Sequence, residues 1–288
     1  MQIDVRAVLF LLVTVLATGA IASVVRLHHA SDSAATDVSV ANLPNASDPA
    51  AAVPIDSNVA HQLNTNASAL QESSINKRQS CAPITYDFDS ASDLIALTDS
   101  NFDNNFCSEN ARIADGNLVL RLTPECGPSI GPTYEFREGK VEARIRTGRT
   151  SGVVTSLYLR SGVGPDGNQD EIDIEFVGKD PSRFQTFFWV NGKRGQSGPV
   201  YHDVGQDTSA DYHVYGVDYR ADSISWQLDG ETVRTLRRSE AEIFPDQPQR
   251  FKVTLWDGSS YDDWAGKSDK SQFPQYAYFD WIKFTPHC

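Results

Sequence analysis

The sequence predicts an all-β fold, a β-sandwich or jelly roll, for residues 79–288. Short segments rich in β-branched and aromatic residues recur along this part of the chain, and turn sequences such as Asp115-Gly116 and Asn191-Gly192 separate them. No long segment has the 3.6-residue period of an amphipathic helix. Many strands joined by such turns are typical of two packed antiparallel sheets.

The predicted strands follow from apolar alternation or from β-branched and aromatic runs. Residues 140–145, for example, place Val141, Ala143 and Ile145 on one face. Asn191-Gly192 predicts a two-residue hairpin, because both residue types accept positive φ. In chain order the predicted strands are 117–122, 140–145, 153–160, 169–178, 184–190, 212–219, 223–228, 232–236, 251–256 and 276–284.

The strand at 169–178 carries the main functional signal. Glu171, Asp173 and Glu175 alternate strictly with apolar residues, so the three carboxyls share one face. Like charges side by side are destabilising, and no basic residue is interleaved, which favours a catalytic use over a solvated surface. Paired carboxyls are what glycoside hydrolysis requires. A calcium site is the alternative, although calcium ligands usually come from loops.

The N-terminal part of the chain has a different composition. Arg6 followed by the apolar run 8–17 and a small-residue cleavage site predicts a signal peptide over residues 1–22. Residues 23–78 contain no aromatic residue and end in Lys77-Arg78, which favours a disordered pro-segment cut at a dibasic site over a linker with a chance basic pair. The catalytic domain is then predicted to span residues 79–288.

The net charge of the chain argues against some classes of partner. The formal net charge is −13 and the sequence pI is about 4.8, which argues against nucleic acid or an anionic membrane as a partner. This acidic charge suits an extracellular or cell-wall protein that acts on a neutral substrate. We expect the protein to be a secreted monomer.

Four cysteines remain in the predicted catalytic domain. An even number in a secreted chain predicts two disulfides, and four cysteines allow three pairings. The favoured pairing joins Cys107 to Cys126, which closes a short loop, and Cys81 to Cys288, which ties the two ends of the domain.

The segment Glu171-Ile172-Asp173-Ile174-Glu175 resembles the E-x-D-x-E signature of glycoside hydrolase family 16. The resemblance implies a concanavalin A-like β-jelly-roll with Glu171 as nucleophile, Glu175 as general acid/base and Asp173 as assisting residue; the residues alone leave the two glutamate roles open. No residue is inserted before Glu175, so the strand resembles the unbulged branch of lichenases and Crh-type transglycosylases. Further segments that resemble the family are 152–156, 176–180, 229–234, 255–258, 262–264 and 278–281.

The resemblance implies a secreted retaining endo-β-glycosidase acting on β-glucan, with no cofactor in catalysis. Two alternatives stay open: a Crh-type chitin–glucan transglycosylase, for which chitin is also a partner, and a carbohydrate-binding lectin on the same fold. Asp280 and the backbone near Gly116 match the structural calcium site of lichenase-like relatives, so calcium is a candidate ligand there.

A sugar-binding cleft needs aromatic faces with a few polar groups. For Phe187 and Phe188, core and cleft are equally favoured, whereas Trp189 and Trp256 favour the cleft. By resemblance Trp256 and Trp264 lie on the donor side. The candidate substrate-binding residues are Tyr158, Arg160, Gln185, Trp189, Trp256 and Trp264.

Overall fold

The structure, a computed structural model, describes residues 81–98, 105–164, 168–196 and 198–288. The predicted signal peptide (1–22) and pro-segment (23–78) lie outside these residues. All the elements below therefore belong to the predicted catalytic domain.

The regular secondary structure of the described residues is mostly β-strand. Helix α1 spans Ala91–Thr98 and the single turn α2 spans Asp262–Ala265; neither is long and apolar enough to cross a membrane. The strands are β1 (Ile84–Tyr86), β2 (Ala111–Ala114), β3 (Asn117–Leu122), β4 (Ser129–Ile130), β5 (Gly139–Arg146), β6 (Val153–Ser161), β7 (Glu171–Val177), β8 (Arg183–Val190), β9 (Lys193–Arg194), β10 (Val200–Asp203), β11 (His213–Tyr219), β12 (Ser223–Leu228), β13 (Glu231–Arg237), β14 (Gln249–Asp257) and β15 (Gln275–Pro286).

Two antiparallel sheets form a sandwich, which confirms the all-β jelly-roll prediction. An eight-stranded sheet has the order β13-β12-β11-β5-β15-β3-β2, with β1 also paired to β15. A seven-stranded sheet has the order β10-β8-β7-β6-β14-β4, with β9 paired to β8. The acidic strand β7 lies inside the second sheet, so it is held by hydrogen bonds along both of its edges.

Every predicted strand is present, with bounds that differ by at most two residues. The strands that the sequence did not predict are short: β1, β2, β4, β9 and β10 have two to four residues each. A period-two pattern needs about four residues to become visible, and these pieces are fixed by tertiary pairing instead.

The two-residue turns form as their sequences predict. Asn191 and Gly192 join β8 to β9 with φ values of 48° and 72°, and Asp229 and Gly230 join β12 to β13 with φ values of 49° and 87°. Positive φ at both positions is the backbone of a type I′ hairpin, whose twist matches that of the strands it joins.

The apolar face of β7 packs on the eight-stranded sheet. Ile172, Ile174 and Phe176 are almost fully buried, and the Phe176 ring meets Tyr215 edge-on with centroids 4.5 Å apart. The buried Trp226 of β12 donates its indole N–H to the Asp173 carbonyl over 3.1 Å. Burial of such side chains stabilises by about 1.5–3 kcal/mol each, so the core fixes the position of the acidic strand.

Both favoured disulfides are present. Cys107 pairs with Cys126, with Cα atoms 6.4 Å apart, and Cys81 pairs with Cys288, with Cα atoms 6.0 Å apart. The second bridge spans 207 residues and sits beside the pairing of β1 with β15, so it ties together the two ends of the described chain.

Asp170 anchors two loops at the start of β7. Its side chain is buried, and its two oxygens accept hydrogen bonds from the backbone N–H groups of Asn191, Asp246 and Gln247, at 2.8, 2.9 and 3.1 Å. The Ser161 hydroxyl accepts the backbone N–H of Asp170 in turn. One carboxylate thus joins the β8–β9 turn and the loop before β14 to the residue that precedes Glu171.

We predict that Asp170→Ala lowers the free energy of unfolding by about 2–4 kcal/mol, because three partly buried hydrogen bonds from backbone N–H groups lose their shared acceptor. Chemical denaturation measures the change. The matched control is Asp246→Asn on the adjoining loop, where the side chain is exposed and the change is expected within about 0.5 kcal/mol. Equal unfolding energies for the two variants would contradict the anchoring role.

Candidate active site

Three carboxyls of β7 line one pocket of about 470 Å³ on the outer face of the seven-stranded sheet. The pairing of β6 with β7 runs without a register shift from Val154–Val177 to Arg160–Glu171. The strand therefore has no bulge, as its sequence predicts, and Glu171, Asp173 and Glu175 keep to one face.

Strands β6 and β8 supply the neighbours of each carboxyl. Residues directly opposite one another in an antiparallel pair share a face of the sheet. On β6, Arg160, Tyr158 and Ser156 lie opposite Glu171, Asp173 and Glu175 respectively. On β8, the residues opposite the same three carboxyls are Trp189, Phe187 and Gln185.

The carboxyls are not a solvated strand face. Asp173 is 3% exposed and Glu175 is 9% exposed, while Glu171 is partly buried. Removing a carboxylate from water disfavours its charged form, and this burial is the largest influence that raises the pKa of all three groups. A strand whose acids served only solubility would leave them in water.

Glu171 has two neighbours that favour its ionised form. The Arg160 guanidinium lies 3.2 Å from Glu171 Oε2, and its charge lowers the pKa of that carboxyl. A hydrogen bond with Asp173 lowers the pKa of Glu171 as well. Both act against the desolvation that raises it.

The surroundings of Asp173 favour its neutral form. Burial, followed by the charges of Glu171 and Glu175, raises the pKa of Asp173 well above its usual value. Its Oδ2 atom is buried and has no hydrogen-bond partner among the described residues. A protonated Asp173 fits this position, because it donates its proton to Glu171 and avoids a third buried negative charge.

Glu175 has a higher proton affinity than an ordinary glutamate. Burial raises its pKa to about 7, and the charge of Glu171 adds to the rise, whereas hydrogen bonds from Gln185 and Ser156 lower it. Gln185 Nε2 donates to Glu175 Oε2 over 2.7 Å, and the Ser156 hydroxyl lies 3.5 Å from Oε1. The surroundings of Glu171 and Glu175 therefore separate two carboxyls that the sequence could not distinguish.

All the candidate substrate-binding residues lie around the carboxyls. Phe187 and Trp189 form one aromatic pair, with ring centroids 6.2 Å apart, and Trp256 and Trp264 form another, 5.9 Å apart. Tyr158, whose pKa burial raises to about 12, places its hydroxyl 2.9 Å from Ser129 Oγ. Partly exposed rings beside buried acids are suited to stacking on sugar faces.

The structure places Phe187 in the cleft and Phe188 in the core, two positions that the sequence favoured equally for both residues. Phe187 lines a second pocket, of about 530 Å³, with Glu175 and Gln185, whereas Phe188 is 1% exposed and belongs to the core. Period-two alternation from Gln185 to Trp189 carries this distinction, because Phe187 shares their face.

Several residues that border the carboxyls were not predicted. Ser156 shares a face with Tyr158 and Arg160, so alternation along β6 could have identified it. Tyr261 and Phe106 come from segments without a strand period, and both rings are more than half exposed beside the cleft. No local sequence signal identifies aromatic residues that a loop brings to a site.

The predicted calcium site does not fit a divalent cation in this chain. Arg144 Nη1 lies 2.7 Å from Asp280 Oδ2, so a guanidinium already pairs with the carboxylate that calcium would require. The Arg146 guanidinium stacks nearby, 5.1 Å from the centroid of the Tyr212 ring over which Arg144 also lies. Two fixed positive charges oppose the binding of a third.

Comparisons with known proteins agree with the site. Residues 98–283 match the family model of glycosyl hydrolases family 16. A beta-glucanase of Brevibacillus brevis is 37% identical over 184 residues, covering 60% of this chain and 68% of the relative.

Two solved structures share the fold. A prokaryotic beta-1,3-1,4-glucanase (lichenase) from a mouse hindgut metagenome is 25% identical with a TM-score of 0.61, covering 72% of this chain and 100% of that one. The apo Crh5 transglycosylase is 24% identical with a TM-score of 0.60, covering 72% and 85%, and this likeness concerns the fold alone.

We predict that a chelator leaves the melting temperature unchanged, because Arg144 already neutralises Asp280. Differential scanning calorimetry with EDTA and with added calcium measures this. Asp280→Asn removes a half-exposed ion pair worth at most about 1 kcal/mol, so it lowers the melting temperature slightly, and equally with and without calcium. A melting temperature of the unaltered protein that rises with calcium concentration would show that the site does bind the ion.

Proposed function

Because the chain belongs to glycosyl hydrolase family 16, we propose that it is a retaining endo-β-glycosidase that cleaves β-glucan by double displacement. The observation that carries the proposal is the unequal surroundings of Glu171 and Glu175. One carboxyl is paired with a guanidinium and with Asp173, whose pKa is raised, and the other has a pKa of about 7. Glycoside hydrolysis with retention needs one carboxylate and one carboxylic acid at the same time.

Glu171 acts as the nucleophile. Arg160 and the proton of Asp173 favour its ionised form inside a buried site, which keeps an electron pair available for attack. In the first step this oxygen forms a bond to the anomeric carbon while the bond from that carbon to the leaving oxygen breaks.

Glu175 acts as the general acid and then as the general base. Its proton passes to the leaving oxygen as the glycosidic bond breaks, so the departing sugar leaves as a neutral alcohol. In the second step Glu175 takes a proton from water, the water oxygen bonds to the anomeric carbon, and Glu171 is released. Two inversions at one carbon give overall retention.

The substrate is proposed from the aromatic lining and from the relatives. The aromatic pairs Phe187–Trp189 and Trp256–Trp264 border Glu171 and Glu175, and together with Tyr261 they offer an extended apolar surface to a sugar chain. The curated relatives bear the name beta-glucanase. A β-glucan is the neutral polymer that agrees with both.

Transfer to a sugar acceptor is the second candidate. The pocket beside Glu175 is lined largely by apolar side chains, including Phe187, Trp189 and Trp264, and such a pocket can hold an acceptor sugar where water would otherwise enter. A chitin-type acceptor belongs to this alternative. The lectin alternative is disfavoured, because a binding module gains nothing from burying Asp173 and Glu175.

We also propose that the protein is secreted, extracellular or in the cell wall, and that it acts as a monomer on polysaccharide. The two disulfides support an oxidising compartment. Cleavage after Lys77-Arg78 would release the domain of residues 79–288 from its pro-segment. Its own carboxyls supply the acid, base and nucleophile, so the reaction as proposed uses no cofactor.

Product analysis tests the proposal. The purified protein is incubated with mixed-linkage β-glucan, laminarin and chitin oligomers, with and without a fluorescent oligosaccharide acceptor. Proton NMR in the first minutes should show the β-anomer of new reducing ends; an α-anomer would contradict retention. Short reducing products indicate hydrolysis, and labelled products longer than the acceptor indicate transfer.

Two variants separate catalysis from folding in this assay. Glu171→Gln keeps the shape but not the charge of the nucleophile, so activity should fall by at least about 10³-fold. Glu142→Gln, on the eight-stranded sheet and paired with Lys140, is the control and should keep full activity. Undiminished activity of Glu171→Gln would refute the catalytic assignment.

A further inference from the structure

The indole of Trp264 reaches Glu175 through a relay of two hydrogen bonds. Trp264 Nε1 donates to Gln185 Oε1 over 3.0 Å, and Gln185 Nε2 donates to Glu175 Oε2 over 2.7 Å. Gln185 is 3% exposed, so water does not compete for its amide. A residue expected only to stack on sugar is therefore linked to a carboxyl of the reaction.

The relay has a fixed direction. An indole nitrogen can donate a hydrogen bond but cannot accept one. The amide atom that faces Trp264 must therefore be the Gln185 oxygen, which turns the amide nitrogen toward Glu175. A carboxyl that faces an N–H donor is stabilised in its ionised form.

The backbone that carries the indole is held by contacts on both sides of Trp264. Helix α2, which carries Trp264, receives a backbone hydrogen bond from Gly152 to the Ala265 carbonyl over 2.9 Å. Lys179 Nζ donates to the carbonyl of Asp263 over 3.1 Å, and Ala265 is fully buried against Val154. The backbone on both sides of Trp264 is thus held in place, and from it the indole N–H reaches Gln185.

We propose that Trp264 is a positioning residue for the acid/base step: its N–H locks the Gln185 amide in the orientation that donates to Glu175. This inference rests on the proposed function, in which Glu175 gives and takes the proton. Without the indole N–H the amide is free to flip, and its oxygen would then accept the proton of the neutral carboxyl. The orientation of the Gln185 amide therefore affects the pH at which Glu175 releases its proton.

The charged and titratable groups around Glu175 do not change with Trp264. They are Glu171 and Asp173 on β7, Tyr158 and Arg160 on β6, Asp257 at the end of β14, Lys270 beyond it, Arg194 on β9, and Glu125 and Tyr261 outside the strands. Asp257 and Lys270 form an ion pair with each other. A shift in the titration of Glu175 on replacing Trp264 would therefore not come from a change of neighbouring charge, and the double variant below tests whether it comes through the Gln185 amide.

Trp256 supplies a matched comparison within the same aromatic pair. Its Nε1 lies 3.4 Å from Ser156 Oγ, which in turn lies 3.5 Å from Glu175 Oε1. Both distances are at the outer limit of a hydrogen bond, so we expect the N–H of Trp256 to have little effect on Glu175. Replacing either tryptophan by phenylalanine removes an N–H and keeps a ring for stacking, but only one of the two replacements breaks a short relay.

The test is the dependence of kcat/KM on pH for four proteins on the β-glucan that the unaltered protein cleaves: unaltered, Trp264→Phe, Trp256→Phe and Gln185→Leu. Glu175 must hold its proton to act as an acid, so activity is present below its pKa of about 7 and is lost above it. Losing a hydrogen bond to the ionised form is worth about one pKa unit. Trp264→Phe and Gln185→Leu should therefore move the basic limb upward by about one pH unit, whereas Trp256→Phe should leave its position unchanged.

A double variant distinguishes the relay from a loss of stacking. In the Gln185→Leu background, Trp264→Phe should cause no further shift of the limb, although KM rises in both backgrounds because the smaller ring stacks less well. A Trp264→Phe profile that superimposes on that of the unaltered protein, or a shift that persists without Gln185, would overturn the inference. Failure of the proposed function is a separate outcome, since the unaltered protein would then cleave no β-glucan at all.

Discussion

The burial of three like-charged carboxyls on one face of a single strand is the constraint on which the rest of this structure depends. Each group would prefer water, and the charges of Glu171 and Glu175 raise the proton affinity of Asp173 between them. The fold meets the constraint by giving each carboxyl different surroundings: Arg160 pairs with Glu171, burial between two glutamates favours the neutral form of Asp173, and Gln185 donates to Glu175. In the mechanism that we propose, these differences make acid and nucleophile chemistry available at one pH.

The sandwich holds that strand from behind and from both sides. Ile172 and Ile174 fill the core, Trp226 donates across the sandwich to the Asp173 carbonyl, and Asp170 fixes the strand's first residue to two loops. Because the pairing with β6 has no register shift, each carboxyl keeps a defined neighbour on that strand. Such support holds reacting groups in position without help from the substrate.

Much of this arrangement could be predicted from the sequence, because it depends on the alternation of residues within single strands and on the residues of short turns. Alternation located β7 and the shared face of its carboxyls, and turn chemistry located the hairpins. Contacts between distant segments could not be predicted: the Trp264–Gln185 hydrogen bond joins residues 79 apart, and Asp170 reaches a loop 76 residues away. The pairing of Arg144 with Asp280 is of the same kind, since it joins residues 136 apart in sequence and only the folded sheets bring them together.

Trapping of the covalent intermediate tests the central claim most directly. A β-linked oligosaccharide with fluorine at C2 and a good leaving group slows release of the intermediate more than its formation, so the enzyme should gain the mass of one glycosyl unit. Peptide mapping by mass spectrometry should then locate the label on Glu171, the carboxyl whose ionised form Arg160 and Asp173 favour. A label on Glu175, or α-anomeric product with no labelled enzyme, would contradict the account.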